Sequence, residues 1–169
     1  MNKFHVIMMG MNLCLFTVMA QSECYSSITA TTPDSVYTDN GDSTVTNNVT
    51  GLMWAQCLDG LSGIGCATGT ASSSNWQAAL ILAEASTLAG HDDWRLPSLK
   101  ELASIVEASC LNPSVNSTYF PNTYVNPLTQ WTSTYVSSTD KAWVIIFNYG
   151  NDNSYAKDFP LGIRLVRGE

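Results

Sequence analysis

The chain has 169 residues, the size of one domain, and its formal charge is −7, from 7 basic and 14 acidic residues. This charge excludes nucleic acid and anionic membrane surfaces as partners, because both require a basic face. Hydrophobic residues make up 45% of the chain and charged residues only 12%, so we expect a packed core and not a disordered chain.

Residues 1–20 have the features of a signal peptide. Lys3 supplies a positive charge, an apolar stretch follows it, and Ala20 is the small residue that signal peptidase cleavage requires. The apolar stretch is short and interrupted, which disfavours the alternative of a retained membrane helix, and Cys24 follows Gln-Ser-Glu where a lipobox would be needed. We expect cleavage after Ala20, a Ser/Thr-rich tether over residues 21–35, and a secreted, periplasmic or cell-surface protein without a transmembrane segment.

The cysteines that remain after cleavage predict two disulfides. Four cysteines in an exported chain have three possible pairings. Two of them bracket a glycine-rich loop, so that a local bridge between Cys57 and Cys66 fits, and this leaves Cys24 with Cys110. A zinc site is a poorer alternative, because the chain has no CxxC pair and His91 is the only histidine after the signal peptide.

The first third of the domain predicts three short strands, at residues 36–38, 44–46 and 52–54. The segment Asp39-Asn40-Gly41-Asp42 separates the first two strands and has the composition of a hairpin turn. Its acidic residues raise the alternative of a calcium site. The order of acids lacks the sixth-place glycine and the twelfth-place glutamate of an EF-hand, so we favour the turn and predict no metal site.

Two helices are predicted in the middle of the chain. Ser74 or Asn75 caps the first, which carries an apolar stripe as far as Leu88 and is followed by Gly90. The second begins after Pro97 with a capping box over residues 98–101 and is expected to end near Cys110.

The last third predicts strands. Residues 130–135 alternate between polar and apolar, and residues 142–147 are apolar on both faces, which is typical of a central strand. Residues 150–153 have the composition of a hairpin turn, and residues 163–167 are expected to form the closing strand.

No catalytic residue is assigned. His91 is the only candidate base for a triad, but its carboxylates are the adjacent Asp92 and Asp93, and no GxSxG motif is present. The cysteines are expected to be paired, and the sequence contains no phosphate loop or dinucleotide motif. A carboxylate pair for glycoside hydrolysis stays open, because separation in space cannot be derived from the sequence.

The strongest functional signal is a segment near the C-terminus that mixes tyrosines with short polar side chains. Tyrosine provides contact area at low entropic cost and asparagine provides adaptable hydrogen bonds, a composition typical of paratopes and suited to sugars. The alternative is a polar hairpin tip without a ligand. The candidate ligand-binding residues are Asn148, Tyr149, Asn151, Asp152, Asn153 and Tyr155.

Several motifs, in this order, resemble the Lcl C-terminal domain family, a family of unknown function found in exported bacterial proteins. The resemblance covers roughly residues 36–167, and we assign the domain to residues 36–169. The motifs are Tyr37-Thr38-Asp39-Asn40-Gly41-Asp42 through Thr50-Gly51-Leu52-Met53-Trp54, Trp76 to Ala79, Asp93-Trp94-Arg95-Leu96-Pro97 with Lys100-Glu101-Leu102, and Trp131-Thr132-Ser133 with Ala142-Trp143 and Arg164-Leu165-Val166-Arg167.

The resemblance implies a fold similar to formylglycine-generating-enzyme-like and C-type-lectin-like domains. We therefore predict an α+β, C-type-lectin-like fold with two helices packed on small, twisted, mostly antiparallel sheets and long irregular loops. Four residues of the motifs are expected to be structural: Trp54 and Trp94 in the core, Arg95 bonded to loop carbonyls or a buried acid, and Glu101 in its capping box.

The resemblance also implies adhesion to glycosaminoglycan-type polysaccharides. This chain has neither a collagen-like stalk nor the positive charge that sulfated polyanions require, which favours a neutral glycan or a protein. It has no cysteine after Cys110, so formylglycine-generating activity is not supported. The Glu-Pro-Asn and Trp-Asn-Asp motifs of calcium-dependent lectins are absent, so no cofactor is expected, although calcium stays an option.

The sequence therefore predicts an exported, adhesin- or lectin-like domain that binds an extracellular or envelope glycan or protein. A structural envelope module without a ligand is the alternative, and an enzyme acting on surface glycan or protein is a weaker one. The sequence leaves the oligomeric state open.

Overall fold

The computed structural model of the chain describes residues 23–123 and 127–168. The predicted signal peptide and its cleavage site at Ala20 lie outside the described residues and stay predictions. No helix in the described part of the chain has the length and apolar character needed to cross a membrane.

The two predicted helices are present, and both are shorter than expected. Helix α1 spans Trp76–Glu84, where Asn75 accepts a hydrogen bond of 2.9 Å from the Ala78 amide. It ends before Leu88 because Ser86 and Thr87 follow, and the Ser86 hydroxyl accepts a hydrogen bond from the Leu88 amide. Residues Leu88–Gly90 then form a separate 3₁₀ turn.

Helix α2 spans Leu99–Ala103 and begins with the predicted capping box of Ser98 and Glu101. The expected end near Cys110 is wrong. The Ser104 hydroxyl donates a 2.6 Å hydrogen bond to the Glu101 carbonyl, which satisfies an acceptor that a continuing helix would have used. The chain then becomes extended, and Val106 forms an isolated bridge with Val115.

A four-stranded antiparallel sheet joins the start of the domain to its end. The predicted Asp39–Asp42 turn connects its first two strands, with Gly41 at a φ of 78°. The strand order is β13-β4-β3-β2. These strands are β2 Tyr37–Asp39, β3 Thr44–Asn47, β4 Met53–Ala55 and β13 Val166–Arg167.

A five-stranded sheet, with the order β11-β10-β9-β12-β7, contains most of the late strands. Its pairs are antiparallel except for β12 with β9. The predicted closing strand is shorter than expected, because residues 163–165 belong to neither sheet. The strands are β7 Ser73–Ser74, β9 Thr129–Tyr135, β10 Lys141–Ile146, β11 Asn151–Ala156 and β12 Leu161–Gly162.

Two small sheets each lie beside a disulfide. In the first, β1 (Glu23–Cys24) pairs with β8 (Cys110–Leu111), and Cys24 is bonded to Cys110. In the second, β5 (Leu61–Ser62) pairs with β6 (Thr68–Gly69) in the loop that the Cys57–Cys66 disulfide closes. Both predicted disulfides are therefore present.

The core consists of two apolar clusters on opposite faces of β10. Ile145 belongs to the first cluster, with Trp54 and Leu102 of α2. Val144 belongs to the second, with Trp131 and Ala79 of α1. Adjacent residues of a strand point to opposite faces, so each helix covers a different side of β10. The described residues thus form the α+β fold that the sequence predicts, which is consistent with a C-type-lectin-like domain.

Residues 23–35 are attached to the domain and are not a free tether. Besides the disulfide, Glu107 holds this segment with a carboxylate that is only 3% exposed. Within the described residues it accepts six hydrogen bonds, from the amides and hydroxyls of Thr31, Thr32 and Ser109. Burial raises the pKa of Glu107, but the hydrogen bonds outweigh burial and lower the pKa to about 2.

We predict that Glu107→Gln destabilises the protein by about 2–4 kcal/mol, because an amide NH₂ group would face donors that need an acceptor. The pKa of Glu107 is lowered in the folded state. The carboxylate therefore stabilises the fold above the unfolded pKa of about 4.3, and this stabilisation is lost as the pH falls toward 2. Urea unfolding between pH 7 and pH 2.5 measures both effects. Glu84→Gln, at an exposed position, is the control. If the free energy of unfolding of Glu107→Gln changes with pH in the same way as that of the wild type, the prediction is contradicted.

Candidate ligand-binding surface

An aromatic row crosses the end of the five-stranded sheet. Tyr135 of β9 lies opposite Ala142 of β10, which lies opposite Tyr155 of β11. Residues paired in this way point to the same face, so the two tyrosines flank the small side chain of Ala142. Ala142 is fully buried, whereas Tyr135 is 63% exposed.

Three further side chains extend this row. The Lys157 Nζ atom lies 4.6 Å from the ring centroid of Trp76 and 6.0 Å from that of Tyr135. Phe159 packs edge-on against Tyr155, with ring centroids 5.7 Å apart. We call this surface, made of Trp76, Tyr135, Tyr155, Lys157 and Phe159, the aromatic face.

The start of α1 determines where the aromatic face lies. Trp76 is the first residue of α1; its ring N–H donates a 2.8 Å hydrogen bond to the Thr132 carbonyl, and its amide donates to the Lys157 carbonyl at 2.8 Å. These two bonds attach the helix start to both β9 and the chain after β11. Tyr135 and Phe159 remain exposed beside this helix start.

The predicted turn at residues 150–153 is wrong. The turn lies at residues 147–150, and β11 already begins at Asn151. A glycine is needed at the end of this turn because Gly150 has a φ of 71°, and a Cβ there would lie 2.6 Å from a Val106 methyl group. Tertiary packing against Val106 and Ser114 therefore decides the position of the turn.

This shift divides the six candidate ligand-binding residues. Asn151, Asn153 and Tyr155 alternate along β11 and share the side of the sheet on which Ala142 lies, whereas Asp152 points to the other side. Asn148 and Tyr149 lie in the turn, at the far end of a strand that spans about 17 Å. Of the six, Tyr155 is the one that belongs to the aromatic face.

Sequence reasoning missed four of the five residues of the aromatic face. The apolar stripe of α1 placed Trp76 in the core, and Tyr135 was treated as part of an alternating strand. Lys157 and Phe159 lie after residues 148–155, the segment in which the candidate ligand-binding residues were predicted. Strand β10 pairs with β9 on one side and with β11 on the other, which brings Tyr135 and Tyr155 together, and the sequence alone does not specify this strand register.

The residues predicted to be structural have structural contacts. Trp54 is fully buried, and Trp94 is 2% exposed and donates a 2.9 Å hydrogen bond to the Leu88 carbonyl. Arg95 donates to both oxygens of Glu101 at 2.8 and 2.9 Å, and to the Gly168 carbonyl at 2.9 Å. The Arg95 guanidinium, helped by Ser98, lowers the pKa of Glu101 to about 2.

A second ion pair joins the same segment to the last strand. Arg167 donates to the two carboxylate oxygens of Asp93 at 2.6 and 3.1 Å, which lowers the pKa of Asp93. Backbone hydrogen bonds of 3.0 Å in both directions also connect Arg95 with Val166. The segment at residues 93–101 and β13 are therefore held as one unit.

The family model of the Lcl C-terminal domain matches residues 43–167 of the chain. The chain belongs to the Lcl C-terminal domain family. A sequence comparison with curated proteins gave no match. Residues of three of these motifs join the segment 93–101 to β13 and β4 in this Lcl C-terminal domain: Arg95 with Glu101, Asp93 with Arg167, and Trp54 with Val166.

The Lcl C-terminal domain also contains a fully buried arginine that sequence analysis left without a role. Arg164 donates hydrogen bonds to the carbonyls of Ala55 and Gln56 and to the Thr123 hydroxyl, and its guanidinium lies 5.0 Å from the ring centroid of Phe120. Burial lowers the pKa of Arg164 to about 9. These contacts connect the end of β4 with residues 120–123.

Backbone amides donate hydrogen bonds to both carboxylates of the acidic turn at residues 39–42. Asp39 accepts a 2.9 Å hydrogen bond from the Gly41 amide, and Asp42 accepts a 3.1 Å hydrogen bond from the Thr44 amide. Among residues 23–123 and 127–168, no three His, Cys, Asp or Glu side chains are grouped closely enough to hold a metal ion. The turn therefore follows the predicted hairpin geometry.

We predict that Glu101→Gln and Glu101→Ala destabilise the domain to different extents. Glutamine keeps an acceptor for the Ser98 amide but loses the charge that pairs with Arg95, so we expect the free energy of unfolding to fall by about 1–2 kcal/mol. Alanine loses both interactions, for a loss of about 2–4 kcal/mol. Urea denaturation at pH 7 measures both values. Lys100→Ala, on the exposed side of α2, is the control, and equal losses for the two Glu101 variants would contradict the prediction.

Proposed function

We propose that this Lcl C-terminal domain is an exported binding domain, and that the aromatic face is its ligand-binding surface for an extracellular or envelope glycan. The two disulfides are typical of an oxidising compartment, in agreement with export. The observation that carries the proposal is the pair of exposed rings, Tyr135 and Phe159, on either side of the half-buried Tyr155.

The chemistry of this surface suits a saccharide. Tyrosine and phenylalanine rings stack on the apolar face of a pyranose, and their exposure leaves room for one. The amides of Asn151 and Asn153 are exposed on the same side of β11, where they can exchange hydrogen bonds with hydroxyl groups. Asn148 and Tyr149 lie in the turn at the other end of β11, away from the aromatic face, and Asp152 lies on the opposite side of the strand.

The lowered pKa values of three carboxylates favour a binding function over a catalytic one. Asp93, Glu101 and Glu107 have pKa values that are lowered, whereas a general acid at neutral pH needs a raised one. Each of the three is engaged in hydrogen bonds that hold the fold together. A protein ligand at the same face is the alternative, because tyrosine-rich surfaces also bind proteins.

The test is binding of the exported chain to a broad glycan array, with calcium and with a chelator. We predict that Tyr135→Ala and Phe159→Ala weaken binding to any glycan hit at least about tenfold, because stacking energy of about 1.4 kcal/mol or more is lost. Neither substitution should alter the melting temperature much, since both rings are exposed.

Tyr149→Ala is the matched control, because Tyr149 is 69% exposed and lies in the turn at the other end of β11. Loss of binding in Tyr149→Ala, with Tyr135→Ala unaffected, would move the site to the turn. Binding that none of the three variants alters would contradict both placements, and a blank array would favour a protein ligand.

A further inference from the structure

Strand β11 forms an open edge of the five-stranded sheet. It is paired with β10 through six consecutive residues, from Asn151 opposite Ile146 to Ala156 opposite Lys141, without a bulge. In an antiparallel pair, alternate residues turn their N–H and C=O groups away from the partner. Half of the residues of β11 therefore turn their backbone groups outward, where the sheet order of the described residues has no further strand. Two backbone groups of β11 are already bonded within the chain: the Ser154 amide donates to Asn153 Oδ1 at 2.8 Å, and the Ala156 carbonyl accepts from the Phe159 amide at 3.1 Å. An added strand would bond at the remaining outward groups.

This edge is longer than the other sheet edges of the described chain. The edge strands β2 and β7 have three and two residues, whereas β11 has six. Proteins usually block an exposed edge with lysine, proline or a bulge. Strand β11 contains none of these, and its exposed residues are the short side chains of Asn151, Asp152 and Asn153.

We propose that β11 is a strand-addition site for an extended, basic peptide segment of another protein. The row of outward backbone groups fits a second strand, because its spacing matches another backbone. Asp152 is the single charged side chain of β11, so a basic residue on the added strand would have an opposite charge beside it. A second copy of this chain would bring another Asp152 and another net charge of −7, which disfavours self-pairing.

The two sides of β11 also specify the side-chain pattern of the partner. Tyr155 lies on the side of the aromatic face and Asp152 on the opposite side. An added strand that alternates apolar and basic residues places the apolar side chains beside Tyr155 and the basic ones beside Asp152. This site uses the edge of the sheet, whereas the glycan surface uses its face, and the two sites adjoin at Tyr155.

The probe is a blocked six-residue peptide of alternating valine and lysine, titrated into the exported chain and followed by fluorescence anisotropy. We expect saturable binding below about 1 mM. Two analogues should bind at least about tenfold more weakly: one with glutamate in place of lysine, and one N-methylated at two adjacent amides, which removes a donor from each edge. Hydrogen exchange of β11 should slow at alternate amides when the first peptide is bound.

On the protein, Asp152→Lys should reverse the preference, so that the glutamate peptide binds more tightly than the lysine peptide. Asp92→Lys makes the same charge change at an exposed position away from β11 and should leave the preference unchanged. Tyr135→Ala should alter glycan binding without altering peptide binding, so that failure of one proposal can be told from failure of the other.

Several results would overturn the proposal. These are no binding of the valine–lysine peptide at 1 mM, equal affinity for the N-methylated analogue, or an unchanged preference in Asp152→Lys. Sedimentation that shows a dimer of the chain, with exchange protection at β11 in the absence of peptide, would also overturn it, because the occupant of the edge would then be a second copy.

Discussion

The contact between Arg95 and Glu101 determines much of the arrangement of this domain. Glu101 accepts hydrogen bonds from Arg95 and from the Ser98 amide, so a single carboxylate both begins α2 and fixes the arginine before it. Arg95 in turn donates to Gly168 and bridges Val166 through the backbone. Strand β13 is thereby placed beside β4, so that the end of the domain pairs with its start. A neutral side chain at either position could not maintain this set of charged hydrogen bonds.

Local chemistry in the sequence predicts much of this fold, and the reasons for its failures are specific. The capping box at Ser98, the Cys57–Cys66 disulfide and the early hairpin follow from short-range patterns, and the structure contains all of them. The helix ends were misplaced because Ser86 and Ser104 compete for backbone groups just where an apolar stripe continues. The late turn was misplaced because its position depends on packing of Gly150 against a distant loop.

The candidate surface was predicted only in part for a similar reason. Tyr155 could be found from composition, but Tyr135 and Lys157 approach it only through the register of three strands. The family motifs, in contrast, are occupied by structural contacts such as that of Arg167 with Asp93. The motif residues Arg95, Glu101 and Arg167 therefore hold the fold, whereas Tyr135 and Tyr155 lie on strands of the five-stranded sheet at positions outside the motifs.

The Cys24–Cys110 disulfide also decides how the domain would carry mechanical load. A pull on the chain before Cys24 passes through the disulfide directly to Cys110, so the 86-residue separation between them is bypassed. Strands β2 to β7 and both helices lie within the bypassed segment. Tension between such a pull and a ligand held at β9–β11 would pass along the covalent chain from Cys110 onward, and the covalent path through residues 25–109 would stay unloaded while the disulfide is intact.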